Sequence, residues 1–425
     1  MLFNRVRALD YMRRIGLDAL VATSPVNVTY FSDYFCWLDP LVKAFMLNPG
    51  GSTERALQSY AVFPSEGSPA LVVTPIFAAN AADLWVKDIH PFGNSGLDDT
   101  ALITPQLESA RHIFESLQSR TESRTAVEAL LSILRERGLT TARIGIELEG
   151  LSAASQEEIL RALPRAEILN CSNLIRLVRM VKSSEELSRL TRAAEINETA
   201  AMNSLNLASS GSPVAEIVQN FRRRVAEAGA DFDHFAFGIR GLGIAMEPAY
   251  VLSEDDVLYV DFGCLFQHYF SDGGTTLALR EPSKEVSKRL SLLRGCLEAG
   301  AQNLRPRVRA SAVRGEMWRF LTDHGITTSS PHGHGLGLEV RDYPILVENN
   351  GLRIQDDCVN ESSDLVLECN MVINLESAIF NPGTGSLHIE RSFVITEFGT
   401  RELVHQDRKG PVMPKHSGDG FQLMT

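Results

Sequence analysis

Clustered basic charge is scarce in this chain. Forty-one lysines and arginines face 53 acids, a net charge of −12, and the compact basic run of note is Arg222, Arg223 and Arg224. Nucleic acids and anionic membranes are held by grouped Lys and Arg, so neither is an expected partner. The triplet reads instead as the solvated face of a helix. Paired cysteines are lacking too: Cys36, Cys171, Cys264, Cys296, Cys358 and Cys369 include no Cys-x-x-Cys spacing and read as reduced, mostly buried thiols. No apolar run reaches the length of a membrane span. The opening residues MLFNRVR show neither the apolar segment nor the cleavage site of a secretory signal. A cytoplasmic protein is the expectation.

What is present is enough chain for two domains. At 425 residues a large core can be buried, and 44% hydrophobic with 22% charged residues is the balance of a soluble globular protein. Residues 4–16 read as an amphipathic helix and DALVAT (18–23) as a buried strand ending at Ser24 and Pro25. YAVF (60–63), ALVV (70–73) and RIGIE (143–147) continue as strands, with helices near 122–137 and 154–162, which makes an α/β domain. The stretches 34–58 and 91–121 exceed plain connections, as lids and partner contacts often do. After IRLVRMVK (175–182) a helix starts at Ser183 or Ser184 with acids in its first turn and runs to about 207. Further helices are expected from Pro213 to Ala228 and over 283–303 and 310–325, alternating with strands. No internal repeat is visible.

The stretch VDFGCLFQHYFSDGGTT, residues 260–276, reads as a hairpin of two short strands. The first ends on Asp261 after the apolar run Val257 to Val260; the second carries Asp272 ahead of Leu277, Ala278 and Leu279. Ionised carboxylates in such apolar company are costly unless paired or bound to a cation. Two solvated turn acids are the other reading, and this stretch alone leaves both open. Three more residues follow in order: His334 among the glycines of SSPHGHGLGLEVRDYP (329–344), Glu376 in VINLE (372–376) and Glu390 in LHIER (387–391). Two Asp, one His and two Glu form an oxygen and nitrogen set without thiolate. Pairs of Mn, Fe, Co or Zn ions that polarise a substrate and ionise a water suit such a set.

The order D-F-G, S-D-x-x-T-T, G-H-G-x-G-L-E-V-x-x-x-P, a Glu in an apolar strand, and I-E followed by V-I-T-E-x-G resembles the pita-bread metallohydrolases. These are the methionine aminopeptidase, aminopeptidase P and prolidase group, with creatinase as a metal-free relative. MVKSSEEL (180–187) is similar to the boundary between their two domains, and TSPVNVTY (23–30) to the N-terminal domain of the prolidase branch. The resemblance implies an α+β protein, with a creatinase-like α/β domain over residues 1–178 and a pita-bread catalytic domain over 179–425. It implies two divalent metal ions, manganese among the candidates, on Asp261, Asp272, His334, Glu376 and Glu390, with Thr276 supporting the site. It also implies a homodimer, in which one subunit's N-terminal domain covers the other's site. The activity implied is that of an Xaa-Pro aminopeptidase or prolidase, a hydroxide bridging the metals attacking the C–N bond of a small peptide.

Three positions depart from the pattern. Arg341 stands where the prolidase branch has the histidine of V-H-E-x-P. Its guanidinium cannot exchange a proton at working pH but forks onto a carboxylate or oxyanion. The creatinase branch has an arginine in a similar place and a substrate bearing a carboxylate. GLGIAMEP (241–248) lacks the histidine that peptidases of the family place before the first aspartate. Glu247 is a candidate substrate or proton contact there, or a solvent-facing residue, and His234 in DHFAFG (233–238) reaches the cavity if that segment lines it. The family's R-x-E reads H-I-E, so His388 replaces the arginine beside Glu390. His388 and His332 are read as groups that orient ligands or shuttle protons, with packing in a glycine turn the plainer reading of His332. The alternative function is a non-peptide C–N hydrolase, creatinase-like or ectoine-hydrolase-like, or a lyase on the same fold, with Arg341 binding the carboxylate of a small molecule. A binding protein on a retired fold would be marked by lost ligands, and all five are present.

Overall fold

The computed structural model describes residues 1–36, 57–94, 108–119, 123–239, 241, 243–245, 247–382, 385–405 and 410–414. Most of the two long stretches singled out above, 34–58 and 91–121, lies outside the described residues. The chain divides into two compact units, Met1–Arg179 with Arg353–Glu361, and Met180–Leu352 with Ser362–Thr425. Among the described residues no helix is long and apolar enough to cross a membrane.

The first unit is built on the strands β1 (Ala19–Ala22), β2 (Tyr60–Pro64), β3 (Ala70–Val73), β4 (Asp88–Pro91), β5 (Arg143–Ile146) and β6 (Glu167–Asn170), in the sheet order β4-β3-β2-β1-β5-β6. Its central strands are buried throughout, which is why they read as continuous apolar runs rather than alternating ones. Leu130 and Leu134 of the helix Ala126–Glu136 close the core over Val21, Val62, Val72 and Ile144. The expected helices over 4–16 and 154–162 are present as Arg5–Ile15 and Ala153–Ala162. Residues 353–361 join this unit from far along the chain. Asp356 accepts from the backbone N–H groups of Asn173 (2.8 Å) and Leu174 (3.1 Å), neutralising free donors at the start of the helix Ser172–Arg179.

In the second unit an antiparallel sheet carries helices on one face. It comprises β7 (Asp231–Gly238), β8 (Val257–Phe266), β9 (Tyr269–Ala278), β10 (His332–Gly335), β11 (Asp342–Leu346), β14 (Val372–Ile379), β15 (Leu387–Thr396) and β16 (Gly399–Glu402), in the order β11-β10-β14-β15-β9-β8-β7 with β16 on β15. Two short strands, β12 (Arg353–Gln355) and β13 (Asn360–Ser362), lie outside this sheet and pair with each other, both beginning within the 353–361 segment of the first unit. The helices Ser184–Leu205 and Val214–Glu227 pack Ile196, Ala200 and Phe221 against Phe235, Val260, Phe262 and Leu277. Strand side chains alternate faces, so burying Val260 and Phe262 under these helices turns Asp261 to the opposite side.

The hairpin is longer than its sequence suggests. Strands β8 and β9 run ten residues each, and Gln267 (φ 47°) and His268 (φ 73°) form the two-residue connection, both left-handed as such tight hairpins require. Asp261 therefore stands in the middle of its strand, not at its end. Gly263 pairs with both His234 and Asp272, and Gly274 with both Asp261 and Glu390, and this pairing carries the strands through them.

Ser183 caps the helix Ser184–Leu205 reciprocally with Glu186. Glu186 also accepts from the Tyr269 hydroxyl at 3.2 Å, and the neighbouring Lys182 and Asp342, each 1% exposed, meet at 3.1 Å. Burial pushes Glu186 up to about 7 from 4.5, outweighing the attraction of Lys182. A carboxyl that binds its proton more tightly when folded stabilises most below its unfolded value and loses that contribution as pH rises. Between pH 4.5 and 7 the wild type should lose stability relative to Glu186→Gln and run parallel to it above that window. Denaturant midpoints of both proteins across this range check the expectation, and parallel curves throughout would refute it.

Candidate metal centre

Strand register gathers the acids. One row crosses the sheet through Ala236, Asp261, Gly274, Glu390, Glu376 and His332, each directly opposite the next. A second row, one step along on the same face, holds His234 opposite Gly263 and Gly263 opposite Asp272, and on the other strands Ser392, Asn374 and His334. Like charges directly across an antiparallel pair repel, and Glu376 faces Glu390 with Asp261 and Asp272 beside them. Two glycines sit where side chains must lean in. A Cβ on Gly263 would collide with the His234 ring, and one on Gly274 would collide with the His388 ring and lie 2.7 Å from Glu390 Oε2.

Four histidines meet these acids, in two distinct ways. His234 sets Nδ1 2.8 Å from Asp233 and Nε2 2.9 Å from Asp261 Oδ1, with Asp272 Oδ1 at 3.5 Å. His332 sets Nδ1 3.1 Å from the Ser330 carbonyl and Nε2 2.6 Å from Glu376 Oε1. Both nitrogens of each ring face acceptors, which favours the protonated ring. Burial opposes that charge, but hydrogen bonds to Asp233 and Asp261 carry His234 up to about 10, and Glu376 raises His332. His334 and His388 differ. In each only Nδ1 is hydrogen-bonded, donating to a backbone carbonyl, Gly335 at 3.1 Å and Val260 at 3.0 Å, while Nε2 has no carboxylate oxygen nearer than 3.7 Å. That of His334 points to Asp272 Oδ2 (3.7 Å) and Glu376 Oε1 (4.0 Å), and burial lowers its pKa.

The carboxylates are unevenly satisfied. Asp261 Oδ2 accepts from the Tyr259 hydroxyl at 3.1 Å and Glu390 Oε1 from Asn374 at 2.8 Å. Burial, then Asp261, pushes Asp272 up to about 8, while Glu390 rises well above its ordinary value through burial and then Asp272. Burial would also raise Glu376, but His332 and then His388 hold it below the usual range. Such a cluster is short of positive charge. His388 Nε2, wholly buried, has no hydrogen-bond partner and lies 3.7 Å from both Glu376 Oε2 and Glu390 Oε2. Among the described residues, three groups have ligand atoms within 4.8 Å of one another: His234, Asp261 and Asp272; Asp272, His334 and Glu390; and Glu376, His388 and Glu390. Carboxylate surplus and an orphaned imidazole nitrogen both fit divalent cations.

All five residues expected as ligands thus share this face, and His234, His332 and His388 join them. Thr276 acts through the backbone, its hydroxyl donating to the His388 carbonyl and accepting from the His388 N–H, both at 2.9 Å. Glu247 is not brought there. It lines a separate cavity of about 250 Å³ with Val218, Arg222 and Phe235, because its segment is carried back to the helix Val214–Glu227 by the Val214 N–H bond to Tyr250. Arg341 is exposed, and its charge reaches His332 and His334, where it opposes protonation. Asp233, Tyr259, Asn374 and the two glycines escape a reading of the sequence alone. Asn374 has a legible signal, two residues before Glu376 and so on its face.

Residues 185–397, half of the chain, match the profile of metallopeptidase family M24, and residues 95–181 match the creatinase/prolidase N-terminal domain. The uncharacterized peptidase YqhT of Bacillus subtilis is 26% identical over 276 residues, 63% of this chain and 74% of that protein. A dipeptidase of Pyrococcus horikoshii OT3 superposes with a TM-score of 0.71 at 18% identity, over 95% of this chain and 98% of its own. The prolidase of the same organism gives 0.67 at 19%, with the same coverage. The fold is therefore the expected one, a pita-bread domain with a creatinase-like N-terminal domain.

Crowding at the glycines is testable by thermal denaturation. Gly274→Ala should cost on the order of 1–3 kcal/mol, since the His388 ring has no room to retreat. Gly315→Ala, on an exposed helical position where a Cβ meets nothing within 4 Å, should instead add roughly 0.5–1 kcal/mol. Equal effects at the two positions would show that Gly274 is not needed for space.

Proposed function

We propose that this chain, which belongs to metallopeptidase family M24, hydrolyses the C–N bond of a short peptide with two divalent cations held by Asp261, Asp272, His334, Glu376 and Glu390. Membership makes it a metallohydrolase; the ion count, the ligands and the peptide are the proposal. The observation that carries it is Glu376 directly opposite Glu390 in the sheet, with Asp272 alongside and Nε2 of His334 turned towards them. Unneutralised, that arrangement repels.

Cations of the Mn, Fe, Co or Zn kind would serve as Lewis acids there, polarising the scissile carbonyl and acidifying a water. The remaining steps belong to side chains. His332, 36% exposed at its side chain and with Nε2 2.6 Å from Glu376, is placed to hand a proton to the departing nitrogen. His234, clamped between Asp233 and Asp261, holds the first aspartate in place. Arg341, exposed beside the histidines, can fork onto the carboxylate of a substrate. Solved relatives of this fold include a prolidase and a dipeptidase, which supports a dipeptide with proline after the cut bond. Arg341 favours a second reading, a non-peptide C–N hydrolase or a lyase acting on another carboxylate-bearing small molecule.

Metal-loaded full-length protein should release proline from Xaa-Pro dipeptides. Turnover confined to cyclic amidines or guanidino acids would sink the peptide reading. Asp272→Ala should lose bound metal by elemental analysis, and activity with it. Arg341→His should keep its metal but weaken carboxylate-bearing substrates by about 10- to 100-fold in KM, the worth of a charged hydrogen bond. Equal metal loss in both variants would contradict the roles given to them.

A further inference from the structure

The ring of His388 is committed at one nitrogen and unpartnered at the other. Its Nδ1 hydrogen is committed to the Val260 carbonyl at 3.0 Å. Nε2 makes no hydrogen bond, and it faces Oε2 of Glu376 and of Glu390, both 3.7 Å away. That spacing is beyond a hydrogen bond and leaves room for an atom between. The ring is wholly buried, so no bulk solvent satisfies the nitrogen.

The ring is also held rigidly in this orientation. It stacks on Tyr259 with centroids 3.9 Å apart and planes 12° from parallel. Thr276 bonds the backbone of residue 388 twice, and Gly274 opens the space that the ring fills. A fixed imidazole with its far nitrogen tied to a carbonyl is how proteins prepare a histidine for a metal.

We propose that His388 Nε2 is a sixth ligand, bonding the cation that Glu376 and Glu390 share. The inference rests on the reading that these glutamates hold a cation. An added imidazole biases that position towards zinc, cobalt or iron and away from magnesium and calcium, which favour all-oxygen shells.

The test uses the full chain, stripped of metal and reloaded with Co(II). His388→Gln should keep its circular dichroism but bind one of its cobalt ions about tenfold or more weakly. His388→Cys should acquire a thiolate-to-cobalt charge-transfer absorption that the wild type, with its own six cysteines, lacks. Cobalt binding by His388→Cys without that absorption would overturn the proposal and leave the five-residue site standing. A wild type that binds no cobalt would remove both. Should the variants fail to fold, anomalous diffraction from cobalt-loaded crystals of the unaltered chain decides the matter. A cobalt peak within bonding distance of Nε2 is expected, and peaks only elsewhere would refute it.

Discussion

Repulsion among four carboxylates on one face of a sheet is the constraint on which the second unit turns. Backbone pairing leaves these side chains nowhere to go: Glu376 is opposite Glu390, Gly274 links Glu390 to Asp261, and Asp272 is one step along. The other face is occupied by Val260, Phe262 and Leu277 under the helices Ser184–Leu205 and Val214–Glu227. Rotating any of these strands to relieve the charge would expose that core. A single-residue slip would exchange the two faces entirely.

Something positive must answer the acids, and the structure shows two kinds of answer. At the two ends of the cluster, His234 and His332 are hydrogen-bonded at both ring nitrogens, and the carboxylates raise the pKa of each. Near its centre, His334 and His388 are hydrogen-bonded only at Nδ1, and each turns Nε2 towards two carboxylates. Asn374 and Tyr259 settle individual oxygens of Glu390 and Asp261 without neutralising either. A cation bound here binds the folded chain alone, so site occupancy and stability are linked by mass action.

Some of this is legible in the residues and some is not. The acids of β8 and β9, the histidine of β10 and the glutamates of β14 and β15 stand out because a charge set among apolar strand residues is too costly to persist without a counter-charge. Glu247 looks equally eligible, yet its segment returns to a helix and lines another cavity. His234 carries no local signal of its reach; only the pairing of β7 with β8, and the absence of a side chain at Gly263, brings it to Asp261. The hairpin reads short in the sequence because glycines in isolation mark breaks, whereas between two partner strands they are simply thin places.

The chain's own order of residues pointed to two domains, the helix starts, the apolar faces and the candidate side chains for the chemistry. Those follow from local propensity, from periodicity and from the cost of burying charge, all of which act over a few neighbouring residues. Tertiary structure alone decided which acid faces which, which histidines are hydrogen-bonded at both nitrogens and which at one, and that a nitrogen at position 388 would end without a partner. Register sets those outcomes, both between strands that follow one another, as β14 and β15, and between strands more than a hundred residues apart, as β9 and β15, and it depends on how the faces pack.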